Sequence, residues 1–173
     1  MTIALDFHDE EGDYAPRRSA FEGAGYVRVS HWVATSRRGR RFLAVHEADG
    51  ATTTVTLPDG EILGPYLPTG SLPAPRPGTA RGLLVGLVDR GDVAEAELER
   101  FYDDVHAREV IESGLYLGAR RFRASDGASP RFVTLYETEG EEPATFRALI
   151  ARGDATPMPE WFVVRGVTTY SRR

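Results

Sequence analysis

The chain repeats itself. Residues 25–50, GYVRVSHWVATSRRGRRFLAVHEADG, align with residues 115–140, LYLGARRFRASDGASPRFVTLYETEG, at a constant offset of 90. Tyr26 falls on Tyr116, Trp32 on Phe122, Ala34 on Ala124, Arg41 on Arg131, Phe42 on Phe132, Glu47 on Glu137 and Gly50 on Gly140. A collinear series in which aromatic, charged and turn positions agree marks an internal duplication, and it confines the chain to folds assembled from two copies of one unit. Between the copies lies GPYLPTGSLPAPRPGT, residues 64–79, whose five prolines and three glycines leave no period for a helix or strand to follow. The expected organisation is a degenerate first half over 1–63, an extended linker over 64–79 and a complete second half over 80–173. At 173 residues the halves have enough chain for one shared core and too little for two independent ones.

The second half is the more legible. RGLLVGLVD (81–89) is a short apolar run suited to a strand buried on both faces. Asp92 can cap a helix from about Val93 to Glu112, on which Ala94, Leu98, Phe101 and Val105 form one apolar stripe. YLGARRFRAS (116–125) and RFVTLYETE (131–139) have the composition of a hairpin. Glu141, Glu142 and Pro143 open a helix with Phe146, Leu149 and Ile150, and WFVVRGVTTY (161–170) is a last strand. The order βαββαβ is the ferredoxin-like unit, an α+β fold with both helices on one face of a four-stranded antiparallel sheet. The first half reads as a worn copy: a helix or irregular stretch near 2–22, the hairpin at 26–47, and TTTVTL (52–57) as candidate closing strand. Packing the two open sheet faces together gives a barrel, and its interior is the expected ligand cavity.

Composition removes several chemistries. A net charge of −5, with 21 arginines scattered among 26 acids, argues against nucleic acid. No cysteine means no disulfide, thiolate metal site or thiol nucleophile, and no lysine means no Schiff base through a side chain. No apolar run approaches a membrane span and no signal-like leader stands at the start, so a soluble, cytoplasmic protein is expected. Neither a phosphate-binding glycine loop nor a G-x-S-x-G elbow occurs, and nucleotide cofactors are not expected.

What remains is ERFYDDVHAREV, residues 99–110. His106 sits at the edge of the helix's buried stripe, four residues after Tyr102 and three after Asp103. An imidazole there suits proton transfer to or from a small carbonyl compound or phenol, with Asp103 or Asp104 fixing its tautomer. The alternative is a boundary histidine bonded to carboxylate or backbone. Asp103, His106 and Glu109 share a helical face, but without a second histidine that pattern is usually solvated, and no metal is expected. HDEEGD at 8–13 lacks the ligand alternation of a calcium loop. Arg120 and Arg121 are adjacent on a strand, so one points into the barrel and the other toward the helices. The inward one either holds a developing oxyanion or pairs with Glu137. Tyr102, Tyr116, Phe122, Tyr136, Trp161 and Trp32 supply aromatic walls for a flat ligand, or simply core. His31 and His46 lie on opposite parities of the first hairpin and are read as structural.

FYDDVHAREVIESGLYLGARRFRA followed by RFVTLYE resembles the dimeric α/β-barrel superfamily, in particular bacterial EthD-like proteins. The likeness is good over 81–170 and weak over 7–50. Val105 and Arg108 stand where those proteins usually carry Glu and Pro around the histidine. In the first half FHDEEGD aligns with FYDDVHA and puts Gly12 at the histidine position, so the site exists once. The resemblance implies two ferredoxin-like units packed sheet to sheet, and among its members are cofactor-free monooxygenases, polyketide cyclases, lyases, isomerases and haem enzymes. The expected function is a cofactor-independent cyclase, isomerase, lyase or monooxygenase acting on a hydrophobic or aromatic carbonyl metabolite. Its catalytic groups would be His106, Asp103, Asp104, Arg120 and Arg121. The alternative is a non-catalytic small-molecule-binding or accessory protein. The small molecule is the expected partner, with homodimerisation of the fused chain left open.

Overall fold

The structure, a computed structural model, describes residues 1–9, 14–35, 41–50, 52–57, 60–69, 72, 79–125, 127–153 and 155–173. Eight strands, β1 (Thr2–His8), β2 (Arg28–Ala34), β3 (Phe42–Ala48), β4 (Glu61–Thr69), β5 (Gly82–Arg90), β6 (Gly118–Ala124), β7 (Phe132–Thr138) and β8 (Phe162–Arg172), close into one antiparallel barrel. The order around it is β1-β3-β2-β8-β5-β7-β6-β4. Split at its two seams, this is the same ferredoxin-like sheet twice, β4-β1-β3-β2 and β8-β5-β7-β6. The seams are short: Trp32 to Ala34 against Tyr170 to Arg172, and Tyr66 to Thr69 against Arg121 to Ala124.

The duplicated hairpins keep one register. Arg28 faces Glu47 and Val33 faces Phe42 in the first, Gly118 faces Glu137 and Arg123 faces Phe132 in the second, the same pairs moved by the repeat offset. Since a one-residue slip would turn every side chain to the other face, the shared register fixes which residues enter the barrel in both halves. Trp32, Leu43, Val45, Phe122, Val133 and Leu135 point inward, with Ile3, Leu5, Tyr66, Leu83, Val85 and Tyr170 from the other strands. They form one continuous core. The interior is packed with side chains, contrary to the expected ligand chamber, because large aromatics from both sheets meet across it.

One charged group shares that interior. Arg120 Nη1 lies 2.5 Å from Glu47 and Nη2 2.7 Å from Glu137, carboxylates that are each other's repeat equivalents. Of the adjacent arginines, Arg120 is thus the inward one, and Arg121 turns out toward the helices. Burial costs the guanidinium solvation, yet two carboxylates hold its pKa above the ordinary value.

The first half departs from expectation in three places. Residues 2–8 are strand, with Ile3, Leu5 and Phe7 inward and Ala4 and Asp6 buried beneath a helix, so Phe7 and His8 have no helical equivalence with Phe101 and Tyr102. Gly12, aligned with His106 in sequence, lies outside the described residues. The closing strand is β4, not TTTVTL, and it takes up 64–69 of the expected linker. Two prolines fit this strand because the β1–β4 register breaks between Ile3 and Leu5, opposite Gly64-Pro65. Gly64 has a φ of 132° and lies against the Ala4 backbone, so no side chain is tolerated there.

Helix α1 (Ala15–Gly23) covers the outer face of the first sheet, packing Phe21 on Tyr26, Ala4 and Ala48. His46 stacks on Phe21 at 3.5 Å, and its Nε2 is 2.5 Å from the Tyr14 hydroxyl. His31 is on the same side, with its ring 4.6 Å from Tyr14. Opposite parity does not separate the two histidines. In this register His31 faces Ala44 and His46 faces Val29, and cross-strand partners share a face. Burial pushes His46 down to about 3. Among the described residues, no helix is long and apolar enough to cross a membrane.

Arg120→Ala takes the cation from Glu137 and leaves Glu47 with Arg28 alone, 3.3 Å away, and should cost roughly 3 kcal/mol in urea unfolding. Arg120→Met combined with Glu47→Gln and Glu137→Gln should recover most of that. The folded pKa of His46, about 3, is below its ordinary 6.5, so in that window the unfolded chain binds the extra proton. Its share of stability is present above pH 6.5 and lost as pH falls toward 3. His46→Phe should therefore flatten the acid side of the unfolding midpoint plotted against pH.

Candidate functional site

The open space lies outside the barrel, between the outer face of the second sheet and its helices, as a cavity of about 430 Å³. Leu84, Gly86 and Val88 of β5 and Tyr136 of β7 make its floor. One wall comes from the helical segment after β5, and the other from α4 (Ala144–Arg152) with the first part of β8.

The helical segment contains an irregularity that aims the site. It runs as α2 (Glu95–Phe101), a π-helical turn over Tyr102–His106, and α3 (Ala107–Glu112). It starts after Ala94, which is extended, so Asp92 does not cap it. Along it the buried positions are Leu98, Tyr102, Ala107 and Val110, with Phe101 only partly covered and Val105 outside the buried stripe. The extra residue in the wide turn carries the stripe past Val105, stacks His106 behind Tyr102 and turns both to the sheet. Single π-turns inside α-helices recur at functional sites.

His106 lies edge-on to Tyr102 at 5.1 Å and to Phe162 at 5.7 Å, and it lines the cavity. Among the described residues it has no hydrogen-bond partner. Burial pushes it down to about 4, opposed only by the Glu109 carboxylate. At neutral pH it is an uncharged imidazole with its lone pair available. Neither aspartate serves it: Asp103 Oδ1 is 2.5 Å from Arg121 Nη1, and exposed Asp104 pairs with Arg108 at 3.7 Å. Glu109 is spent as well, accepting from the Thr156 backbone N–H at 3.1 Å and from the Thr156 hydroxyl.

Below His106 the Tyr136 hydroxyl donates to the Tyr102 hydroxyl at 3.0 Å, which leaves the Tyr102 proton for another acceptor. Arg121 lies over the Tyr102 ring, 4.6 Å from its centroid, and over Phe132 at 5.0 Å, sealing the far side of the phenol. Gly86 is the gap in the floor, since a Cβ there would stand 3.8 Å from the Tyr102 oxygen.

Of the residues singled out by sequence, the fold brings Tyr102, His106 and Tyr136 to the cavity. It does not bring the others. Arg120, Trp32 and Phe122 are in the barrel, and Trp161 stacks edge-on with Phe101 at 5.5 Å. Tyr116 donates to the buried Glu142 at 2.8 Å, and the same carboxylate accepts from the Phe146 N–H at 3.2 Å, anchoring the start of α4. Glu109, weighed in the sequence only as part of a metal-like helical face, also lines the cavity, whereas Gly86, Met158, Val164 and Val167 carried no signal there. The valines face the same cavity although three apart, because a β-bulge at Arg165 shifts the β5–β8 register.

No family model and no curated protein matches the chain. Solved structures do. Over 99% of its length it is similar to an arginine-to-alanine mutant of the chlorite dismutase from Candidatus Nitrospira defluvii, at 12% identity, with a TM-score of 0.58 and 90% of that chain covered. It is similar over 99% of its length also to a structure from Thermus thermophilus described as a novel heme-binding protein, at 9% identity, with a TM-score of 0.57 and 90% of that chain covered. At these identities the likeness is one of fold: two ferredoxin-like sheets closed face to face, the α+β barrel of the chlorite dismutase-like proteins.

Proposed function

We propose that the protein binds an uncharged, flat, apolar metabolite in the outer cavity, and that His106 takes a proton from it in cofactor-independent acid–base chemistry of the cyclase, isomerase or lyase kind. The observation that carries this reading is a neutral imidazole without a hydrogen-bond partner among the described residues, facing an apolar chamber. As the imidazole accepts a proton from carbon or phenol, charge develops on the substrate oxygen, and the Tyr102 hydroxyl, itself accepting from Tyr136, is the donor for it. The apolar walls keep water from competing. The resemblance of the FYDDVHA stretch to EthD-like proteins fits the same chemistry, and cofactor-free oxygenation would use the same base.

A second reading is haem. The Thermus thermophilus neighbour is described as heme-binding. In this chain the neutral His106 fits an iron ligand and the apolar walls fit a macrocycle. The rim fits less well, since among the described residues Arg152 is the one cation lining the cavity, against Glu109 and Glu112 for two propionates. Haem bound there would supply redox chemistry. That rim favours the neutral metabolite.

A panel of flat ketones and phenols, followed through protein tryptophan fluorescence, should yield a ligand that Gly86→Leu excludes while its circular dichroism stays native. If binding is indifferent to that plug, the site is elsewhere. For a turned-over ligand, His106→Ala should lower kcat/KM on the order of a hundredfold or more. The wild-type profile should stay flat from about pH 8 to about pH 5 and fall only toward pH 4, because the base is active when unprotonated and burial has pushed it down to about 4. An inflection near the ordinary 6.5 would count against His106 as that base. A Soret shift on haem addition that disappears in His106→Ala would instead favour the second reading.

A further inference from the structure

Helix α4 is amphipathic but poorly covered. Phe146, Leu149 and Ile150 make one stripe toward the cavity, yet none of its residues is buried and Ile150 is 65% exposed. Its start is fastened by Glu142, and its end is released by Gly153 in the left-handed region. Across the mouth, Met158, Val164 and Val167 are 41%, 51% and 47% exposed, and they too line the cavity. The apolar wall therefore does not stop at the opening. It continues outward as a channel between α4 and β8, which is unusual for a surface in contact with water. The polar groups divide in the other direction. At the buried end stand only His106, Tyr102 and Tyr136, all uncharged at neutral pH, and the ionised groups are at the rim.

We propose that the natural ligand is an amphiphile of one polarity pattern, an uncharged hydrogen-bonding head seated at His106 and Tyr102 and an apolar extension longer than the chamber, leaving along the channel between α4 and β8. This rests on the ligand reading above and names its substrate class: long-chain or extended polycyclic phenols and ketones, rather than carboxylates or phosphate esters. The extension covers Ile150, Val164 and Val167 and completes the packing of α4. The occupant is the ligand's own tail because the exposed apolar surface of Ile150, Val164 and Val167 is continuous with the chamber they line.

The test is a homologous series of 4-alkylphenols from ethyl to octyl, with Kd measured by calorimetry. Affinity should keep rising by roughly threefold per methylene through the octyl member. Ile150→Asp and Val167→Asp, both at exposed positions, should flatten that gain beyond the short chains. His106→Ala should weaken every member alike and leave the slope. A gain that stops at the shorter chains, or a slope untouched by both aspartates, overturns the proposal while leaving the chamber as a ligand site. If no phenol of any length binds, both readings fall together. If sedimentation shows a dimer that Val167→Asp dissociates, and the slope is flat, the channel is an interface between copies and the tail assignment is wrong.

Discussion

A sheet with helices on one side has a second side that must be hidden, and in this chain each copy hides it against the other. Everything else follows from that closure. The inward residues of eight strands pack the barrel with Trp32, Phe122, Tyr66, Tyr170 and branched aliphatics as one core. The cavity lined by described residues lies where packing is incomplete, under the helices of the second half. Among the described residues the first half has α1 alone, drawn tightly onto its sheet by Phe21, Tyr26 and His46. The barrel is the rigid support, and the layer outside it is the part that differs between halves.

Two single-residue insertions aim that outer layer. The π-turn at Tyr102–His106 carries the buried face from Tyr102 to Ala107, five residues on, and leaves the imidazole edge-on beside the phenol. The bulge at Arg165 turns Val164 and Val167 to the same side. Neither adds stability by itself. Each breaks a regular ladder and is kept in place by packing around it, the π-turn by Arg121 over Tyr102 and the bulge by the Arg165 guanidinium, 2.7 Å from Asp89. The histidine's neutrality has the same origin, because the apolar surroundings that make the chamber attractive to a ligand also make a charged imidazole costly.

The sequence was most readable where period and turn chemistry agreed. Both hairpins, β5, α4 and β8 were legible from alternation, glycine stops and the Glu-Glu-Pro start, and the repeat offset carried even the strand register. It was unreadable where one residue changes the period. Val105 looked like a stripe residue because counting at the ordinary helical period passes straight through a π-turn. β4 was hidden by Pro65 and Pro68, whose compatibility with a strand depends on a register break supplied by β1. TTTVTL had the stronger β composition and yet forms no strand, since the ladder positions beside β1 are taken by residues 61–69. Placement of the cavity was beyond pattern reading altogether, because it depends on whether side-chain volumes fill the barrel.

Fusion of the copies also changes what the barrel wall can carry. In a barrel made of two identical chains, an arginine at the place of Arg120 would arrive with its mate, one guanidinium for each of the two carboxylates. Here the repeat equivalent of Arg120 is Ser30, whose hydroxyl merely accepts from the Trp32 indole at 3.0 Å. Covalent linkage lets one cation serve Glu47 and Glu137 together. Asymmetry of this sort is heritable only after duplication, and it makes the two halves non-exchangeable: two first halves would bring both carboxylates without Arg120, and two second halves would bring a guanidinium for each carboxylate in place of one shared cation.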